Sequence, residues 1–280
     1  MKKVMDFIKS HPVPIYFALA FAISWGAMLI LAGPRGIPAP ADQRVMLAMV
    51  MPLGPSIAGL LLTGLVSGRV GFRELVSRLL KWKVGARWYA VALLTAPLST
   101  VVVLLVFLLF SSEYAPSILT SDDKAALILL GVGGGLMVGF CEELGWTGFA
   151  IPRMRLRYSL LTTGLIVGLL WGLWHFLMFW ESDSFSGAFP LVLLLARLFS
   201  WLPAYRVLMV WVHDHTESLL VVMLMHVSLV VTSIIINPSL TGSEGLTFIL
   251  ARAVVIWMMV VVVAISTRKQ FEMGRVSQTS

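Results

Sequence analysis

The residues best able to do chemistry are Glu142 and Glu143, adjacent in GFCEELGWTGFAIPR, His175 in LLWGLWHF, and His226 in LLVVMLMHVSLVV. Each lies in an otherwise apolar run. On insertion scales a central Asp, Lys or Arg in such a run costs about 2.5–3.5 kcal/mol, so ionisable groups kept there point to function. Arg197, Arg206 and Arg252 are the other charged side chains in comparable surroundings. Adjacent helical residues point about 100° apart, so Glu142 and Glu143 cannot both face one cavity. One is free to act as a general base on water, and the other needs a partner of its own. The plain alternative is a charged pair that ends a helix at the membrane surface, but apolar character resumes at Trp146, Phe149, Ala150 and Ile151.

A glutamate, two histidines and a water can hydrolyse a peptide bond in two ways. In the metal version, His175, His226 and Glu142 hold a divalent ion such as zinc, with an activated water in the fourth position. In the metal-free version, Glu142 and His175 polarise the water and His226 donates to the developing oxyanion. Spacing leaves both open, because the three residues fall on three helices; no His-Glu-x-x-His motif is present. VHDHTE also gathers metal-ligand types (His213, Asp214, His215 and Glu217), and the expectation there is a solvated cytoplasmic turn. The single cysteine, Cys141, can form no internal disulfide and reads as a small buried side chain.

The elements that position these groups are membrane helices. Of the 280 residues, 59% are hydrophobic and only 12% charged, against roughly 25% charged in ordinary soluble chains. Eight apolar runs are expected as spans: Val13–Gly33, Val45–Leu65, Trp88–Phe110, Ala125–Ala150, Leu160–Trp180, Ala188–Trp211, Leu219–Asn237 and Leu246–Ser266. Hydrocarbon demands internally satisfied backbone, and the alternation of a β-barrel is missing, so the fold class is an all-α polytopic bundle. Residues 1–280 read as one integral membrane domain, its first span uncleaved, with a core at 125–237.

With the N-terminus inside, fifteen basic residues face the cytoplasm and three (Arg35, Arg44 and Lys124) face outward, which places both termini in the cytoplasm. The net charge of +7 lies between apolar runs, as topology requires, so lipids and not nucleic acid are the expected partner. Residues 68–87 are too polar to span and are expected as an amphipathic helix along the cytoplasmic face. The broken-helix pairs typical of secondary transporters are not evident.

Together these residues resemble the CAAX-processing and bacteriocin-processing (CPBP, or Abi) family of intramembrane proteases. The family's Glu-Glu pair followed by three residues and an arginine is matched by Glu142 and Glu143; its aromatic-x₃-His by Trp171 and His175; its late-helix His by His226. The resemblance covers roughly Val132 to Val231. It implies Glu142 as water-activating base with His175, His226 as oxyanion support, and Glu143 as a support held by the motif arginine. It implies a peptide or lipidated-protein substrate and a bacterial cytoplasmic membrane. Two positions depart from the pattern. Thr147 stands where the arginine belongs, leaving Arg153 or Arg206 to neutralise Glu143 unless it is protonated. Val230 stands where an asparagine is usual, and Ser228 and Ser233 are the nearest hydroxyls. A catalytically weak or inactive scaffold or immunity factor is the alternative, and a proton-coupled transporter a more distant one. Counting 1.5 Å per residue, Glu142 lies about 13 Å from the cytoplasmic end of its span, His226 about 11–12 Å and His175 about 22 Å, too deep for direct contact unless the fifth helix is tilted or its first turns sit below the hydrocarbon.

Overall fold

The computed structural model describes residues 2–33, 36–39 and 41–267, excluding the side chains of 41 and 42. Long apolar runs form helices because no other backbone arrangement satisfies its own hydrogen bonds in hydrocarbon. In chain order these are α1 (Lys2–Ser10), α2 (Pro12–Ala32), α3 (Ala41–Val50), α4 (Leu53–Leu79), α5 (Ala86–Phe107) and α6 (Ser117–Thr120). There follow α7 (Lys124–Gly145), α8 (Ile151–Met154), α9 (Leu160–Trp174) and α10 (Phe176–Phe179). The last four are α11 (Ala188–Phe199), α12 (Leu202–Thr216), α13 (Leu219–Ile235) and α14 (Gly242–Ser266). No strand occurs among the described residues.

Six helical stretches are long and apolar enough to cross a membrane: Pro12–Ala32, Gln43–Leu79, Ala86–Phe107, Lys124–Met154, Ala188–Thr216 and Gly242–Ser266. The shorter Leu160–Trp174 and Leu219–Ile235 complete the bundle. Leu109, Leu129, Val262 and Ile265 are largely exposed on its outside, as lipid-facing side chains are. The chain is an all-helical integral membrane protein.

The three helices that carry the expected chemistry each start on a side-chain cap. Asp123 accepts from Ala126 N at 2.9 Å at the head of α7, Ser159 from Thr162 N at 3.1 Å before α9, and Ser218 from Val221 N at 3.2 Å before α13. Each satisfies one of the amides that a helix start leaves unpaired.

Two stripes of glycine at four-residue spacing draw the helices together. On α7, Gly131, Gly135 and Gly139 face α13; a Cβ at Gly139 would come within 2.9 Å of Val227 N and 2.8 Å of its Cγ2. On α9, Gly164, Gly168 and Gly172 face α11 and α12; a Cβ at Gly168 would fall 2.5 Å from Pro203 Cα. Association in lipid rests on such close backbone contact, since lipid tails are as apolar as the side chains they touch. The first stripe brings His226 to the glutamates, and the second brings Arg206 to Trp171.

Several sequence-based expectations change. The fifth span ends at Trp174 and not Trp180, because the backbone turns at His175, whose Nδ1 takes the Trp171 carbonyl at 2.8 Å. The sixth is interrupted between Phe199 and Leu202, with Pro203 in the first turn of α12. The segment 68–87 is helical only to Leu79, after a kink at Gly68 (φ 58°), and then irregular to Gly85. Its Leu75 is buried against Leu219 and Met223 rather than turned to lipid. VHDHTE is not a solvated turn but the last turn of α12: His213 is buried and Asp214 pairs at 2.7 Å with the buried Arg155. Arg35, Arg268, Lys269 and Arg275, counted in the charge bias, lie outside the described residues.

Replacing Gly139 by valine should force α13 off α7 and lower the unfolding free energy by about 1–3 kcal/mol, the usual cost of overpacking. Gly133→Ala, where a Cβ meets nothing within 4 Å, should leave the detergent-solubilised protein's melting transition unchanged.

Candidate active site

The two glutamates part ways as helix geometry requires. Glu142 turns toward two indoles: Trp146 Nε1 donates to its Oε2 at 3.2 Å and Trp171 Nε1 at 2.8 Å. Glu143 turns toward α12, where Arg206 Nη1 lies 2.8 Å from Oε1 and 3.0 Å from Oε2. The Thr147 hydroxyl donates to Glu143 Oε2 at 2.5 Å. Beyond Gly145 the helix widens into one π turn, Trp146–Ala150, which keeps Trp146 and Thr147 above the two carboxylates. Such wide turns recur at functional sites.

His226 stands between them. Its Nδ1 is 2.8 Å from Glu143 Oε1 and its Nε2 4.0 Å from Glu142 Oε2. Because Arg206 and Thr147 supply hydrogens to Glu143, that carboxylate acts as acceptor and Nδ1 carries the proton. The bond fixes the tautomer and aims Nε2 at Glu142.

Trp171 is where the groups meet. Its indole holds Glu142, its carbonyl engages His175 Nδ1, and the Arg206 guanidinium lies 4.2 Å from its ring centroid. The rings of His175 and His226 both meet it edge-on, at 5.5 and 5.3 Å. His175 also contacts Trp174 and stacks on Phe179. The expected depth mismatch is resolved by α7, which runs on through the π turn and α8 to Met154. Counted from Met154, Glu142 is about 18 Å in, one turn short of the 22 Å for His175.

Arg206, not Arg153, neutralises Glu143. The Arg153 guanidinium donates instead to the Phe149 carbonyl at 2.9 Å and Ser67 Oγ at 3.1 Å, and covers the Phe149 ring. The expected support role of Arg153 therefore fails on geometry: the i+10 position on this path points away from the pair. Neither Ser228 nor Ser233 takes the place of the missing asparagine. Ser228 donates to the Leu93 carbonyl at 2.7 Å, and Ser233 lines a separate cavity. Among the described residues no three of His, Cys, Asp and Glu are grouped to hold a metal ion. The Nδ1 atoms of His175 and His226 are engaged by the Trp171 carbonyl and by Glu143, which leaves Nε2 as the ring nitrogen each presents to a water or a metal.

Trp146 was not read from the sequence as a partner of Glu142, although its i+4 spacing is visible there. The two glycine stripes were missed as well, and their four-residue period is equally plain.

Residues 124–232 match a family described as type II CAAX prenyl endopeptidase, Rce1-like. Over 67 residues the chain is 34% identical to CAAX prenyl protease 2 of Methanococcus maripaludis, a stretch covering 24% of this chain and 23% of that protein. The matched segment contains α7, α9, α12 and nearly all of α13, and hence Glu142, Glu143, Trp171, His175, Arg206 and His226.

Removing Arg206 as Arg206→Leu should leave a buried carboxylate without its cation and cost about 3–5 kcal/mol of stability. In a Glu143→Gln background the same change should cost far less. Thermal unfolding of the four proteins measures the coupling, and additive losses would show that the two side chains act independently.

Proposed function

We propose that the chain is an intramembrane endopeptidase of the CAAX-protease type, which hydrolyses a peptide bond with a water activated by Glu142. The observation that carries this reading is the face-to-face placement of Glu142 and His226 Nε2, 4.0 Å apart and both almost wholly buried. That spacing is too wide for a direct hydrogen bond and suits a water molecule in contact with both groups.

In the proposed reaction Glu142 takes a proton from water as its oxygen bonds to the scissile carbonyl carbon. His226, with Nδ1 held by Glu143, stabilises the oxyanion through Nε2–H when the ring is protonated. Glu142 then passes its proton to the leaving amine as the C–N bond breaks. His175, pinned by the Trp171 carbonyl, assists in orienting the water. Glu143, Arg206 and Thr147 act through His226 rather than on substrate. The two indole donors keep Glu142 aimed, and low-dielectric surroundings strengthen each of these interactions. Substrates are membrane-embedded peptides or lipidated proteins reached through the bilayer, with the chain in a bacterial cytoplasmic membrane and both termini inside.

Val230, which supplies no donor beside the oxyanion, favours a second reading: a scaffold or immunity factor that binds peptide and turns it over slowly or not at all.

Purified protein presented with a peptide library should release fragments. Glu142→Gln and His226→Ala should each lower the rate by at least 100-fold, Glu142→Gln with the parent's melting transition retained and His226→Ala with it lowered by the lost bond to Glu143. Unchanged cleavage in both variants would sink the endopeptidase reading, whereas peptide binding without turnover in the parent would support the scaffold. Cleavage should survive a chelator; loss that added zinc restores would assign the reaction to a metal.

A further inference from the structure

A cavity of about 470 Å³ lies on the side of the site away from the helix starts of α9 and α13. Phe179, which stacks on His175, forms part of its wall. So does Ser233, seven residues beyond His226 on α13, or about 10 Å along the axis. A chain held at Glu142 and His226 that continued in this direction would enter it within a few extended residues.

Most of the wall is apolar, but Arg252 projects from α14 into it. This side chain is 3% exposed and lies 4.6 Å from the Trp201 ring. Its Nε and Nη2 have no hydrogen-bond partner. These two N–H groups form one edge of the guanidinium, the edge that takes a carboxylate in a forked pair. The remaining charges on the wall are already engaged. Arg197 pairs with Glu181 at 2.8 Å, and Arg44 donates to the Ala39 carbonyl at 3.2 Å. Arg252 lies ten residues into the 25-residue α14, about 15 Å from its start. A phosphate at the level of the α14 start lies that distance from the guanidinium, whereas the cavity wall reaches the catalytic groups through Phe179, which stacks on His175.

We propose that Arg252 binds a carboxylate of the substrate, either the chain terminus or an acidic side chain, on the segment that runs from the scissile bond into this cavity. The proposal rests on the endopeptidase reading, since the substrate is what it places there, and it makes Arg252 a residue of specificity.

The test measures binding without turnover, using the full chain carrying Glu142→Gln in phosphatidylcholine nanodiscs. Three probes are titrated by fluorescence: dansyl-Leu-Leu-Leu with a free carboxylate, the same tripeptide as its amide, and dansyl-Leu-Leu-Glu-amide. The free acid should bind at least 10-fold more tightly than the uncharged amide, and Arg252→Gln should erase the difference while Arg197→Gln keeps it. Tight binding of the Glu-amide alone assigns the carboxylate to a side chain; tight binding of the free acid alone assigns it to the terminus. Equal affinity for acid and amide, or discrimination that persists in Arg252→Gln, overturns the proposal. Arg252-dependent loss of binding when phosphatidylglycerol replaces phosphatidylcholine overturns it in favour of a lipid phosphate. Should Arg252→Gln fail to fold, Arg252→Lys decides: it keeps the charge but not the fork, and the acid preference should fall several-fold. Carboxylate-dependent binding by a protein that never cleaves would refute the enzymatic reading and leave the Arg252 site standing.

Discussion

The arrangement depends on one buried ion pair. Glu143 and Arg206 are both fully enclosed, joined at 2.8 Å, and drawn from helices packed on different neighbours. Neither charge is tolerable there alone. An isolated ion in a low-dielectric interior costs several kcal/mol even after relaxation, and Coulomb attraction repays it only with good geometry and further hydrogen bonds. Thr147 and His226 supply those bonds to the carboxylate, and the Trp171 face covers the guanidinium. Satisfying Glu143 is therefore the same act as orienting His226. The imidazole that faces Glu142 is held in place by electrostatics that have no part in bond making.

Around that pair the glycine stripes set distances that side chains alone could not. The α7–α13 and α9–α12 contacts are the two most extensive between helices in the bundle, and both are made where glycine removes the Cβ. Close backbone approach lets a short imidazole reach two carboxylates and lets Arg206 lie over an indole. The cation–ring contact itself is worth about 0.5–2 kcal/mol, more when desolvated.

Much of this was legible in the sequence. The all-helical membrane class followed from composition and run length, and Glu142, Glu143, His175 and His226 stood out because charge is expensive in such runs. The break at His175 was not legible, because a histidine in an apolar run carries no breaker signal; here its ring joins its own amide on the Trp171 carbonyl. The choice of Arg206 over Arg153 was not legible either. Spacing ranks partners within one helix, but the α9–α12 packing that delivers Arg206 is tertiary. VHDHTE misled for a related reason: polar composition reads as loop, yet Asp214 is bound to the buried Arg155 and His215 packs on Trp88.

The origin of the arginine bears on how the protein is made. In the family pattern the cation sits on the same helix as the glutamates and travels with them. Here the two partners are 63 residues apart, and the nearer cation Arg153 turns to Phe149 and Ser67, so the stretch Lys124–Met154 is made before the side chain that neutralises Glu143. It cannot settle into the bilayer in its final form until α9 and α12 have been synthesised. Completion of the site is thus tied to the docking of α12, because within its own helix Glu143 has Thr147 as a partner but no cation.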